Sequence, residues 1–230
     1  MTEHLAADRP AFVHREFSLI SSRYELMNQI MTFGMVTGWR KAVIQKLQIK
    51  KSSIILDLGA GGGQLSNLIH EQYPDCKVFP SDFNIPMMRV GAETGLSFTA
   101  VDALSIPVES DSVDGVVCAF LLRNVPRYQR VLKEIHRVLR PGGVFACLDT
   151  TPLANNLLKP LIQLYMRVAI PTIGAILTGR SGAYDYLIRS SEGFTHAGKL
   201  ASEFSETGFE EVGFKYLQFQ TAAVHWGIKR

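Results

Sequence analysis

The chain of 230 residues is 47% hydrophobic and 20% charged with a formal net charge of +3, which provides for one sizeable buried core and is too mild to indicate a nucleic-acid partner. Three cysteines, Cys76, Cys118 and Cys147, lack Cys-x-x-Cys spacing, and the last two lie in apolar runs, so they read as reduced core residues of a cytoplasmic protein. The six histidines show no metal-ligand spacing, and no metal site is expected.

Residues 1–10 are polar and do not resemble a signal peptide, and residues 1–16 have no apolar period, which predicts a mobile start. A helix is predicted from an N-cap at Ser21 or Ser22 to Gly34, with Met27, Ile30 and Met31 on one face. A second, over 38–47, places Trp39, Val43 and Leu47 together. Both precede the first strand, where they would cap a sheet's ligand edge or pack on its face.

Strands are then predicted at 53–58, 77–81, 97–101, 114–119 and 144–148, alternating with helices at 64–72, 85–91 and 128–139. That order implies a parallel sheet with right-handed crossovers. The last of these helices turns Val131, Leu132, Ile135, Val138 and Leu139 inward and Arg130, Lys133 and Arg137 largely outward, with Arg127 just before it, a solvated basic face or a contact for anionic lipid. Pro141-Gly142-Gly143 reads as a turn into the fifth strand.

The most apolar long stretch, 153–177, is interrupted by Lys159, Pro160, Arg167 and Pro171, so it is not read as a spanning helix. A helical hairpin or lid fits it, lying on a membrane surface, lining an apolar pocket or forming a dimer interface. A final helix at 200–207 ends on Gly208, and strands at 212–219 and 222–228 close the chain as an antiparallel hairpin turning at Gln220-Thr221.

Chemistry concentrates at the carboxyl ends of the first strands. The run Asp57-Leu58-Gly59-Ala60-Gly61-Gly62-Gly63 is a strand-to-helix turn whose glycines let a ligand approach the backbone. A dinucleotide fingerprint needs glycine at position 64, where Gln64 stands, and this weakens a pyrophosphate reading. Asp82 ends the second strand, where a carboxylate can accept from both hydroxyls of a ribose, or alternatively stabilise the next helix together with Asn84. Asp102 ends the third; it can take a hydrogen bond from an adenine amino group with Ala103 giving room for the ring, or simply form a turn.

The Asp-x-Gly-x-Gly-x-Gly form resembles the first motif of the class I S-adenosylmethionine-dependent methyltransferases. Further matches are more specific: Tyr24-x-x-Met27-Asn28, Phe33-Gly34, Trp39-Arg40, Leu122-Arg123-Asn124, Tyr184-x-Tyr186-Leu187, Ser190 and Ala223-Val224-His225. Together they resemble the menaquinone/ubiquinone biosynthesis C-methyltransferase family over about 17–229. The resemblance implies a Rossmann-like α/β sheet, mostly parallel with a C-terminal antiparallel hairpin, in one domain. Within it we expect a helical cap (1–48), a cofactor-binding core (49–150), a helical lid or substrate segment (151–199) and a closing helix and hairpin (200–230).

It also implies S-adenosylmethionine as cofactor, held by Asp57, Gly59, Gly61, Gly63, Asp82, Asp102 and Ala103. The implied acceptor is a ring carbon of a demethylated prenylated quinol, with Arg123, Tyr184 and His225 as catalytic candidates and Tyr24, Asn124 and Tyr186 as substrate contacts. Arg123 would stabilise a phenolate, or else tie a loop to a nearby carboxylate. Such a protein would be cytoplasmic, with peripheral membrane contact and a homodimer both compatible with the sequence. A methyltransferase of soluble phenols or other secondary metabolites would share the same core, and a non-catalytic cofactor-binding protein is the remaining alternative. The chain departs from the family's usual Thr and Asp at Gly62 and Gln64, from an acidic residue at Arg189 and from a proline at Thr195.

Overall fold

The computed structural model describes residues 9–153, 157, 159–178 and 182–230, and leaves aside the side chains of 9–13, 178 and 182–185. Five parallel strands, β1 (Ile54–Leu58), β2 (Lys77–Asp82), β3 (Thr99–Ala100), β4 (Val113–Ala119) and β5 (Leu139–Thr150), are joined by an antiparallel pair, β6 (Phe209–Leu217) and β7 (Ala222–Lys229). They form one sheet in the order β3-β2-β1-β4-β5-β7-β6. β1 pairs in parallel with both β2 and β4, so the strand order reverses at the β1/β4 crevice.

Alternation along the strands divides the core into two layers. Leu56, Leu58, Val116, Cys118, Phe145 and Cys147 face one side. There they meet α6 (Tyr128–Val138) and α10 (Ala197–Thr207). Phe145 stacks on Phe204 of α10 at 4.9 Å between centroids. Ile55, Val117, Val144, Ala146 and Leu148 face the other side. That layer is covered by α3 (Val36–Ile44) and α4 (Gln64–Gln72). The helix α5 (Ile85–Ala92) follows β2.

The N-terminal region differs from the sequence expectation. Helix α1 (Arg9–Ile20) occupies much of the stretch expected to be mobile, and α2 (Tyr24–Met31) starts after a 3-10 turn at Ser21–Arg23 without a side-chain cap from Ser21 or Ser22. Tertiary contact supplies what periodicity did not: Asn84 Nδ2 donates to His14 O at 2.9 Å, and Phe17 packs edge-on to Tyr24 at 5.4 Å.

The apolar stretch folds as α7 (Lys159–Leu164), a π-turn (Tyr165–Ala169) and α8 (Ile170–Thr178), continuous in sequence. Pro171 lacks an N–H to donate back along the helix, and the widened turn just before it absorbs that loss. The span Lys159–Leu177 is therefore long and apolar enough to cross a membrane by length and composition alone, although its prolines and charges argued otherwise. Ile170 buries against Ile20 and Met27, with Tyr165, Met166, Ile173 and Leu177 packed around them. Helix α9 (Gly182–Glu192) then leads back to the core.

Strand boundaries also moved, β3 shortening to Thr99–Ala100 and β6 starting at Phe209. The Pro141-Gly142-Gly143 turn lies inside β5, which pairs Leu139 with Val113 and absorbs the irregularity as a register shift. The closing hairpin turns through Gln218–Gln220, all three at positive φ.

Candidate active site

A cavity of about 270 Å³ lies over the carboxyl ends of β1 and β4, at the reversal of strand order where open α/β sheets collect ligands. The glycine loop forms its floor. Gly59, Gly61 and Gly63 have φ of 70°, 57° and 76°, a region costly for other residues. A Cβ on Gly59 would also come within 2.8 Å of Leu121 Cδ1. Ala60 N donates to Ser81 O at 2.9 Å, fastening the loop across β2.

Asp57, at the end of β1, is 1% exposed. Its Oδ2 accepts from Ser66 N (3.1 Å) and Ser66 Oγ (2.7 Å), both in the first turn of α4. Its buried Oδ1 has no partner among the described residues. Burial pushes the carboxyl up to about 6, the Ser66 hydrogen bonds opposing it. A buried carboxylate oxygen that nothing donates to is costly, and a ligand ammonium would satisfy it.

Asp82 Oδ2 accepts from Gly61 N and Oδ1 from Asn84 N, both at 2.7 Å. Each oxygen keeps a second lone pair, so hydroxyls of a ribose can still donate to it. Burial raises this carboxyl above its ordinary value, while the backbone N–H groups of Asn84 and Gly61 lower it. Asp102 lines the same cavity; its Oδ1 accepts from Leu104 N at 2.9 Å, the turn-forming alternative, without closing off its role at the wall. Ala103 lies beside it on the wall, 8% exposed. Gly63 sits behind the loop as the N-cap of α4.

These residues fit S-adenosylmethionine, the cofactor the resemblance implies. An orphaned anionic oxygen suits its ammonium, an open carboxylate suits its ribose, and a backbone cradle without Cβ atoms leaves room between.

On the acceptor side, Tyr24 and Asn124 reach the wall. Burial raises the Tyr24 phenol, and the charge of Arg123 pulls it back. Asn124 Nδ2 donates to Phe120 O at 2.8 Å, leaving its buried Oδ1 unpartnered among the described residues. Phe120 holds φ at 60°, a strained conformation at the carboxyl end of β4 that puts its backbone against the cavity.

Arg123, Tyr186 and His225 do not line the cavity. Arg123 is 3% exposed and lies with its guanidinium carbon 4.9 Å from the Phe120 ring. Its Nη1 donates to Asp149 Oδ1 at 2.6 Å. Tyr186 packs edge-on behind Phe17, which does line the cavity. The structure does not bring His225 to the site: on β7 it is 2% exposed, with Nε2 2.9 Å from Ala197 O and its ring stacked on Phe214. Tyr184 falls in α9, and its side chain lies outside the described residues.

Sequence reasoning gave no role to Asp149 or Arg40. Asp149 lies near the end of a buried strand just as Asp57 does, which is the signal that could have found it. Arg40 stood within a quoted family match and lines the cavity.

Residues 4–229 match the ubiE/COQ5 methyltransferase family. The chain is 37% identical to the ubiquinone/menaquinone biosynthesis C-methyltransferase UbiE of Desulfotalea psychrophila, over 94% of this chain and 90% of that one. It is 34% identical to the demethylmenaquinone methyltransferase of Geobacillus stearothermophilus, over 95% and 97%. Among solved structures, an S-adenosylmethionine-dependent methyltransferase from Thermotoga maritima superposes with a TM-score of 0.69 at 15% identity, covering 95% of this chain and all of that one. Such identity speaks for the fold alone, and the fold is the Rossmann-like methyltransferase sheet expected from the strand order.

Proposed function

The chain belongs to the ubiE/COQ5 methyltransferase family, and from this we propose that it methylates a ring carbon of a demethylated, prenylated quinol with S-adenosylmethionine as donor. One observation carries the cofactor half of the reading. Asp57, Asp82 and Asp102, each at the carboxyl end of a successive strand, meet around one cavity floored by the glycine loop. Relatives named for menaquinone and ubiquinone C-methylation support the acceptor half.

When bound, S-adenosylmethionine supplies a methyl group on a sulfonium centre. The protein must hold donor and acceptor in line and make the acceptor carbon nucleophilic. Asp57 and Asp82 would bind the amino-acid and ribose parts, with Asp102 and Ala103 at the adenine. Asn124, through its unpartnered Oδ1, would accept from a quinol hydroxyl, and Tyr24 would line the ring site. Arg123, always protonated, is a poor base. Fixed by Asp149 behind Phe120, it would instead supply the positive charge that favours a quinol losing its hydroxyl proton, and so a more nucleophilic ring.

The apolar face of α7 and α8 fits a lipophilic acceptor. Leu161, Leu164 and Val168 are exposed at i, i+3 and i+7, and Ile176 is 77% exposed near the helix end. We infer that this face rests on a membrane surface, near the lipid phase where such a quinol dissolves.

Transfer of labelled methyl to a panel of reduced demethylquinols and soluble phenols, with the product located by mass spectrometry, tests the reading. Methyl on a ring carbon of a prenylated quinol is the expected result. Methylation of soluble phenols alone would remove the quinol assignment and leave the methyltransferase.

A further inference from the structure

The cavity wall carries three carboxylates, from Asp57, Asp82 and Asp102, against one permanently charged base among the described residues, Arg40. The side chain reaches the wall from α3 and is itself only 6% exposed. Glu25 of α2 grips it in a two-pronged pair, with Nη1 to Oε1 and Nη2 to Oε2 both at 2.7 Å. A guanidinium has five N–H donors in a rigid fork. The pair with Glu25 engages one on each terminal nitrogen, so the group has donors beyond the pair that fixes its plane.

Arg40 shares the cavity wall with Asp57, at the glycine loop, and Tyr24, at the acceptor side. Its charge is one of the smaller influences that lower both groups. The other basic side chain on the wall, His14, acts on Asp82 instead. The amino-acid end of S-adenosylmethionine bears one ammonium and one carboxylate. Asp57 answers the ammonium with its orphaned Oδ1. A carboxylate leaving water for a wall of three acids needs a cation of its own.

We propose that Arg40 binds the carboxylate of the cofactor's amino-acid end, with Glu25 as the positioning residue that aims its guanidinium. The assignment rests on the cofactor reading of the cavity and deepens it. Asp57 and Arg40 together would read a zwitterion, selecting ligands with an intact amino acid over those cut back to the thioether.

Calorimetry with two probes separates this role from a purely structural tie between α2 and α3. S-adenosylhomocysteine carries the amino-acid end; 5′-methylthioadenosine has the same nucleoside and lacks it. Arg40→Ala is expected to weaken S-adenosylhomocysteine roughly 10- to 100-fold, the range for a lost charge-assisted hydrogen bond, and to change methylthioadenosine by less than about twofold. Arg40→Lys, which keeps the charge and loses the fork, should fall between wild type and Arg40→Ala. Glu25→Gln should weaken S-adenosylhomocysteine several-fold and spare methylthioadenosine, and these two variants carry the test if Arg40→Ala does not fold. Equal weakening of both probes, or no weakening of either, would overturn the assignment. Failure of wild type to bind both would remove the cofactor reading itself, and Arg40's role with it.

Discussion

Arg123 and Asp149 form a buried pair in which one carboxylate holds both ends of the same residue: Oδ1 takes the guanidinium Nη1 at 2.6 Å and Oδ2 takes the Arg123 backbone N–H at 3.2 Å. Asp149 Oδ1 also accepts from Thr150 N at 2.8 Å. The short helical turn after β4 is thereby locked to the end of β5, and the arginine cannot leave the back of the Phe120 ring. With both side chains 1–2% exposed, the pair is worth little as net stability but much as an arrangement that cannot be half dismantled.

Removing one partner strands the other. Asp149→Ala is expected to destabilise the fold by about 3–5 kcal/mol, read as a lower urea midpoint at unchanged slope. Arg123→Gln separates chemistry from packing. If its charge supports the phenolate, kcat falls roughly 100-fold while S-adenosylhomocysteine binds as in wild type. Parallel loss of turnover and binding would assign the arginine to architecture alone.

A second prediction concerns pH. Burial raises the Asp57 carboxyl to about 6 in the folded protein, above the ordinary value near 3.9. The sign follows from linkage: the stability this group contributes is fully present below the ordinary value and is lost as pH rises through about 6. Binding has the opposite sense, because only the ionised form pairs with an ammonium. Affinity for S-adenosylhomocysteine should therefore climb between pH 5 and 7, by up to about tenfold per unit on the acid side, and level off above. Asp57→Asn should bind more weakly and with a flatter profile. A wild-type profile as flat as the variant's would remove Asp57 from the ammonium.

The sequence exposed some of this plan and hid the rest for identifiable reasons. The short apolar runs of β1 and β4, the 3.6-residue period of α6 and the placing of Asp57, Asp82 and Asp102 near strand ends are local signals, and the fold keeps them. The cavity wall also takes His14 and Phe17 from α1 and Arg40 from α3, whose places depend on contacts such as Asn84 with His14 and Arg40 with Glu25. Asn84 and His14 lie 70 residues apart, and Arg40 and Glu25, though 15 apart, sit on separate helices whose packing no periodicity fixes. Pro141-Gly142-Gly143 and Pro171 gave true local signals that tertiary structure overrode, one by a register shift and the other by a π-turn. His225 was drawn toward the site by a motif match, yet its side chain packs between β6 and α10, held by Ala197 O and Phe214.

The outward face of α7 and α8 yields a third prediction. One side is anchored by Ile170 and Tyr165. The other shows Leu161, Leu164 and Val168 to solvent. If that side rests on lipid, the protein co-sediments with liposomes, and Leu161→Asp with Leu164→Asp reduces the bound fraction roughly tenfold or more, given about 1.5–3 kcal/mol for each fully buried leucine. Turnover of a short-tailed soluble quinol should be retained by the same variant. Equal sedimentation of variant and wild type would point instead to the basic face of α6, through Arg130 and Lys133.

The two departures in the glycine loop are physically one. A Cβ on Gly62 would lie 2.7 Å from Gln64 Nε2, so the space that a larger residue would fill at 62 is taken by the amide of Gln64. Gln64 lines the cavity and cannot offer an ammonium the charge that a carboxylate would. Gly62→Thr alone should push that amide aside and weaken S-adenosylhomocysteine several-fold. Combined with Gln64→Asp, whose shorter side chain withdraws from residue 62, the same threonine should be accommodated and affinity should return to wild type or better. The coupling between the two sites, measured as a double-mutant cycle by calorimetry, is expected to be about 1 kcal/mol or more. Additivity within about 0.5 kcal/mol would mean that the loop tolerates each change independently and that the glycine leaves no room the glutamine needs.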